Sequence, residues 1–87
     1  MDIESLRKEI DAADRELASA FIRRMTAAAE IGRIKKESSL AVTDRKRELE
    51  IIEKVTSGAP EELVPYIEEL YENIFRLSRE MQKGERN

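Results

Sequence analysis

Arg24 occupies a place where a helix should carry an apolar side chain. Ile3, Leu6, Ile10, Ala13, Leu17, Ala20, Ala27, Ile31 and Ile34 follow a three-and-four spacing with Arg24 filling its one gap, and that spacing lines one face of a helix. The residues three and four away from Arg24 are Ala20, Phe21, Ala27 and Ala28, so no carboxylate on its own helix can pair with it. A cation held on an apolar face without a partner is costly. Its counter-charge must come from another element or from an anionic ligand.

Other polar residues break the pattern in related ways. With Ile3, Ile10, Leu17, Arg24 and Ile31 at heptad position a, and Leu6, Ala13, Ala20, Ala27 and Ile34 at d, Arg7 and Lys35 both fall at e. Lys35 also lacks an acid three or four residues away, whereas Arg7 has Glu4 and Asp11 in reach. Spacing alone therefore favours a surface ion pair for Arg7. Arg24 and Lys35 are 11 residues apart, about 16 Å along a helix, and two long side chains can converge on one ligand over that span. Arg7 precedes Arg24 by 17 residues, about 25 Å. It does not readily join the same site within one subunit, but it can do so from the partner helix of an antiparallel dimer. Ser78 and Gln82 are spaced i to i+4 and share a face, which is either the edge of an apolar stripe or one side of a pocket. Glu48 stands at an apolar position of its helix. It can neutralise Arg24 or Lys35, or accept a hydrogen bond from a ligand hydroxyl while those cations take carboxylates.

Three helices must position these groups. The first is expected to begin with Asp2 as N-cap and Glu4 in its first turn, and to run to about Lys36. Gly32 inside it costs roughly 1 kcal/mol relative to Ala, which points to close packing or ligand approach at that place. Residues 37–43 lose the period and read as a loop. A second helix spans about 44–56, capped by Thr43 or Asp44, with Glu48, Ile51, Ile52 and Val55 as its buried face and Gly58 as its stop. The third begins near Glu62, because Pro65 is tolerated only in a first turn. Its stripe is Leu63, Ile67, Leu70, Ile74, Leu77 and Met81, flanked by Tyr71, Phe75, Ser78 and Gln82, with fraying from Gly84 to Asn87.

The fold expected is all-α, one domain over residues 1–87, with one long, one short and one medium helix. Length adds a constraint. A 35-residue helix is about 52 Å long, whereas an 87-residue globule is some 30 Å across. The long helix must protrude while its stripe stays apolar nearly end to end, so an intertwined homodimer is the economical arrangement.

Composition limits the chemistry. The 87 residues include no Cys and no His, so disulfides, thiolate nucleophiles and the commonest general base and metal ligand are all excluded. Any reaction must run on Arg, Lys, carboxylates, hydroxyls and amides, with no metal and no cofactor expected. Charged residues make up 40% of the chain and the net charge is −3. Residues 23–47 nevertheless hold eight basic and three acidic side chains, a local +5, against −8 in the flanks. A basic middle in an acidic chain attracts a small anion, and the overall acidity with 5% aromatics argues against nucleic acid. No apolar run reaches membrane-spanning length and no signal peptide opens the chain, so a cytoplasmic location is expected.

Taken together, Arg7 in LRKEID, Arg24 in FIRRM, Lys35 in EIGRIKK, the Asp44-x-x-Arg47-Glu48 run and Ser78-x-x-x-Gln82 resemble the all-helical chorismate mutases across essentially the whole chain. The resemblance implies an intertwined homodimer with two active sites that rearranges chorismate to prephenate. It implies that Arg24 binds a substrate carboxylate and that Arg7 reaches another from the partner subunit. By the same resemblance, Lys35 and Gln82 would donate to the ether oxygen of the breaking bond. Glu48, with the backbone near Asp44, would hold the ring hydroxyl, and Arg47 and Ser78 would complete the ring-carboxylate side. A unimolecular [3,3] rearrangement needs no nucleophile, metal or general base, which suits a chain without His or Cys. Isochorismate-pyruvate lyases resemble the same pattern and are the alternative activity. A non-catalytic helical module that regulates a larger shikimate-pathway enzyme is the alternative of a different class.

Overall fold

A computed structural model describes residues 2–84. Among these, α1 spans Ile3–Glu37, α2 Arg45–Thr56 and α3 Val64–Lys83, with a single 3₁₀ turn, Glu61–Leu63, leading into α3. No strand occurs among the described residues. The three elements start and stop for local reasons. The Asp2 side chain accepts from the Ser5 N–H at 2.8 Å, which satisfies one of the unpaired donors at the α1 N-terminus. That bond also holds the Asp2 carboxyl below its ordinary value. Asp44 caps α2 in the same way, accepting from Arg47 N–H at 3.1 Å. Gly58 follows the end of α2 with φ +78°, the left-handed turn that glycine takes without steric cost. Pro65 lies in the first turn of α3. There its missing N–H removes no helical hydrogen bond.

Of the segment 84–87 expected to fray, Gly84 is the C-cap of α3 at φ 71°, and its N–H reaches back to the Glu80 and Met81 carbonyls. The remainder of that segment, 85–87, lies outside the described residues.

The chain is elongated, 54 × 28 × 16 Å, and its long dimension is the length of α1. The C-terminal half of α1 packs on α3, and α2 closes against α3 from another side. The face of α1 that packs is not the stripe of Ile, Leu and Ala read from the sequence. The partly or fully buried positions of α1 are Phe21, Arg24, Met25, Ala28, Ala29, Gly32 and Lys35, and those at steps of three and four form a second seam beside the first. Every apolar member of the first stripe, from Ile3 to Ile34, is exposed. Ile3 is 66% exposed and Leu17 58%.

A smaller shift of the same kind holds on α3. Phe75 and Ser78 are buried with Tyr71 and Gln82 beside them; of the expected stripe, Ile67, Ile74 and Leu77 are partly buried, while Leu63, Leu70 and Met81 remain exposed. The cause is geometric: α3 turns toward α1 the side that lets the two backbones approach most closely. A Cβ built on Gly32 would lie 2.5 Å from Gln82 Cα and 2.6 Å from its carbonyl oxygen, so Gly32 is where the helices touch. On α2 the expected face holds, with Glu48 buried and Ile51, Ile52 and Val55 partly so. Ala28 and Phe75 are the buried apolar side chains among the described residues, a small core for a chain of this length. None of the helices described is long and apolar enough to cross a membrane.

Candidate active site

One cleft of about 300 Å³ opens between the three helices. From α1 it receives Arg24, Ala27, Ala28, Ile31 and Lys35, from α2 and its approach Val42, Asp44, Arg47, Glu48 and Ile51, and from α3 Phe75, Ser78, Arg79 and Gln82. Seven of the eight site residues expected from the sequence, Arg24, Lys35, Asp44, Arg47, Glu48, Ser78 and Gln82, therefore line one space. Arg7 does not. It sits on the bare half of α1 with its guanidinium 3.6 Å from Glu4, both side chains largely exposed.

Arg24 is held without a carboxylate. Its Nη1 donates to Ser78 Oγ at 2.7 Å, and its guanidinium carbon lies 5.7 Å from the Phe75 ring centroid and 6.0 Å from that of Tyr71. The two rings stand edge to face, 5.9 Å apart, which is the favoured quadrupolar arrangement. Aromatic faces attract a guanidinium by about 0.5–2 kcal/mol, and a hydroxyl fixes its direction. Neither cancels its charge. Among the described residues, no carboxylate lies within ion-pair distance of Arg24 or Lys35. Lys35 Nζ donates instead to the Val42 carbonyl at 3.2 Å, which ties the 38–44 connection to the mouth of the cleft. A lysine has three donors, so two remain for a ligand.

Glu48 is 8% exposed, and its partners are neither of the two cations proposed from the sequence. Arg45 Nη1 donates to Oε1 at 3.1 Å and Arg79 Nη1 to Oε2 at 2.6 Å. Arg45 is itself clamped by Glu72 through two bonds of 2.8 Å, the planar fork that guanidinium and carboxylate make best. Those hydrogen bonds hold the Glu72 carboxyl below its ordinary value and raise that of the Arg45 guanidinium. Neutralisation of Arg24 or Lys35 by Glu48 is thus ruled out in this arrangement. The spare lone pairs of Glu48 remain for another donor.

Asp44 spends one oxygen on the α2 cap. Arg47, one helical turn before Ile51, is more than half exposed, with Glu50 as a loose partner at 3.9 Å. Gln82 presses its backbone on Gly32, and its buried Oε1 has no hydrogen-bond partner. The lining therefore carries four cations, Arg24, Lys35, Arg47 and Arg79, against two carboxylates, Asp44 and Glu48. A cleft with this surplus, its carboxylates already engaged, is complementary to a small dianion.

Arg79 does not break an apolar stripe as Arg24 does, yet the rule that isolates Arg24 isolates it too. Its helical neighbours at three and four residues are Phe75, Arg76, Gln82 and Lys83, and none is acidic. Tyr71 and Phe75 carry no such signal, since aromatic residues beside a stripe read simply as core.

The family model described as chorismate mutase type II matches residues 6–83, which takes in all three helices and every residue of the cleft. No curated protein and no solved structure matches the chain. An all-helical chain with a cationic cleft, matched over nearly its full length by that family, belongs to the type II chorismate mutases, isomerases that convert chorismate to prephenate.

Proposed function

We propose that the cleft bounded by Arg24, Lys35, Glu48 and Gln82 is where this chorismate mutase performs its rearrangement. The observation that carries the assignment is the pair of cations Arg24 and Lys35, aimed into one cleft and compensated by no carboxylate. Chorismate is a flexible dianion, and the reaction breaks its ether C–O bond while a C–C bond forms within the same molecule. No proton, electron or group is exchanged with the protein. Two effects then account for catalysis. Arg24, Arg47 and Ser78 hold the carboxylates so that the compact reactive conformer is favoured over the extended one. Lys35 and the Gln82 amide donate to the ether oxygen, where negative charge grows as the bond breaks. Glu48 accepts from the ring hydroxyl, beside the backbone at Asp44.

Arg7 enters this scheme from a second subunit. The bare stripe of α1 supports an intertwined dimer, because a chain that buries two apolar side chains among its described residues while exposing Ile3, Leu6, Ile10, Leu17, Ile31 and Ile34 leaves its best hydrophobic surface unused. An antiparallel partner helix on that stripe carries its own Arg7 toward the cleft.

Incubating the pure protein with chorismate and following the loss of its ultraviolet absorbance, with prephenate identified as product, tests the assignment. Release of pyruvate from isochorismate, with no prephenate from chorismate, overturns it.

A further inference from the structure

The two guanidinium groups paired with Glu48, those of Arg45 and Arg79, have no part in the roles above. Glu48 is buried, and a carboxylate in that position is free to swing among several cations unless its own geometry is fixed. Arg45 reaches it from one turn earlier on α2 and Arg79 from α3. The contact to Arg79 is the shorter, 2.6 Å, and joins two helices; Arg79 is also the better shielded donor, with its side chain 30% exposed against 51% for Arg45. Arg45 is further committed to Glu72. Each carboxylate oxygen of Glu48 thus spends one lone pair on a guanidinium placed at either side. One acceptor direction on each oxygen is left over.

We infer that Arg79 is a positioning residue: by pinning Glu48 Oε2 from α3 it aims the remaining Glu48 acceptors at the substrate's ring hydroxyl and so sets the preference for a hydroxylated ring. Arg79 acts through Glu48 and not on the reacting atoms. The inference rests on the proposed reading of the cleft, in which Glu48 accepts from that hydroxyl. A site that hydrogen-bonds a substrate hydroxyl discriminates strongly against the analogue lacking it, because its polar groups are then left unpaired. That discrimination depends on the acceptor being held in one direction.

The test compares chorismate with its ring-deoxy analogue for the unaltered enzyme, Arg79→Gln, Arg79→Lys, Glu48→Ala and the Arg79→Gln/Glu48→Ala double variant. Arg79→Gln is expected to lower kcat/KM for chorismate by roughly 10-fold while leaving the deoxy analogue nearly unaffected. Arg79→Lys, which keeps a donor and a charge, should recover part of the preference. In the Glu48→Ala background, Arg79→Gln should have no further effect, since the group it positions is gone. An equal loss on both substrates, multiplicative effects in the double variant, or failure of both position-79 variants to fold each overturns the inference. Activity of the unaltered enzyme separates the two levels. An enzyme that turns over chorismate but gives additive losses defeats the role of Arg79 alone, whereas one with no turnover of chorismate defeats the reading of the cleft and the inference with it.

Discussion

Two seams run along α1, and they meet different fates. The seam of Phe21, Met25, Ala28, Gly32 and Lys35 lies against α3, while the stripe from Ile3 to Ile34 beside it is bare. The bare stripe is the more hydrophobic of the two and has the clearer period. The packed seam has smaller residues, and at Gly32 it lets two backbones come together. Hydrophobic strength therefore does not decide which face a helix turns to its own chain. Close approach does, since dispersion and burial both grow as the helix axes near one another. Arg24 sits on the border between the seams, half-buried and facing the cleft that α3 completes.

The comparison can be broken most forcefully at its border. Arg24→Ala and Lys35→Ala are each expected to lower kcat/KM by at least ~100-fold, the scale of one lost transition-state contact. Steady-state kinetics with chorismate reads both. A loss below about tenfold at either position separates that residue from the chemistry.

The bare stripe is tested by Leu17→Asp, which places a charge on a surface that a second subunit should cover. Sedimentation should show the mass falling from twice 10.1 kDa to 10.1 kDa, and activity should fall with it. A companion experiment mixes inactive Arg7→Ala and Arg24→Ala subunits. In each heterodimer one site then carries both lesions and the other neither, so about one good site should return per pair. No recovery in verified heterodimers would sink the shared-site geometry.

On the packed seam, Gly32→Ala weighs two opposing terms. Alanine gains about 1 kcal/mol of helix propensity, but its Cβ meets the backbone of Gln82, which cannot rotate away as a side chain does. Overpacking of this kind costs about 1–3 kcal/mol, so thermal denaturation should show a net loss of stability. Catalysis should weaken too, since Gln82 is displaced.

The smallest effect is expected where α1 ends. Ser39 holds φ +57°, a left-handed conformation that costs a residue with a Cβ about 1–2 kcal/mol. Ser39→Gly should raise stability by about 0.5–1 kcal/mol after the larger unfolded-state entropy of glycine is deducted, visible as an upward shift in Tm with kcat/KM unchanged.

Much of this was legible in the chain. The helices appear within a residue or two of their expected limits because caps and breakers act locally: Asp2, Asp44, Gly58 and Pro65 do their work through the nearest few N–H groups. Arg24 and Lys35 stood out because the absence of an acid at three and four residues is a property of sequence alone. Arg79 had the same property, but without α2 beside it nothing connected it to Glu48. Of the two roles open to Glu48, pairing with Arg24 or Lys35 gives way to pairing with Arg45 and Arg79 for a related reason. Choosing among Arg24, Lys35, Arg45 and Arg79 depends on distances across helices, and periodicity contains none of those.

By itself, then, the sequence determined three helices, where they end, and that Arg24 must find negative charge outside its own helix, all consequences of hydrogen bonding and side-chain spacing within a few residues. Only the tertiary structure decided which seam of α1 faces α3, that Glu48 is taken by Arg45 and Arg79, and that Arg24 and Lys35 share one cleft with neither paired to a carboxylate among the described residues. These depend on how closely surfaces distant in sequence can approach, and Gly32 against Gln82 is the contact that sets it.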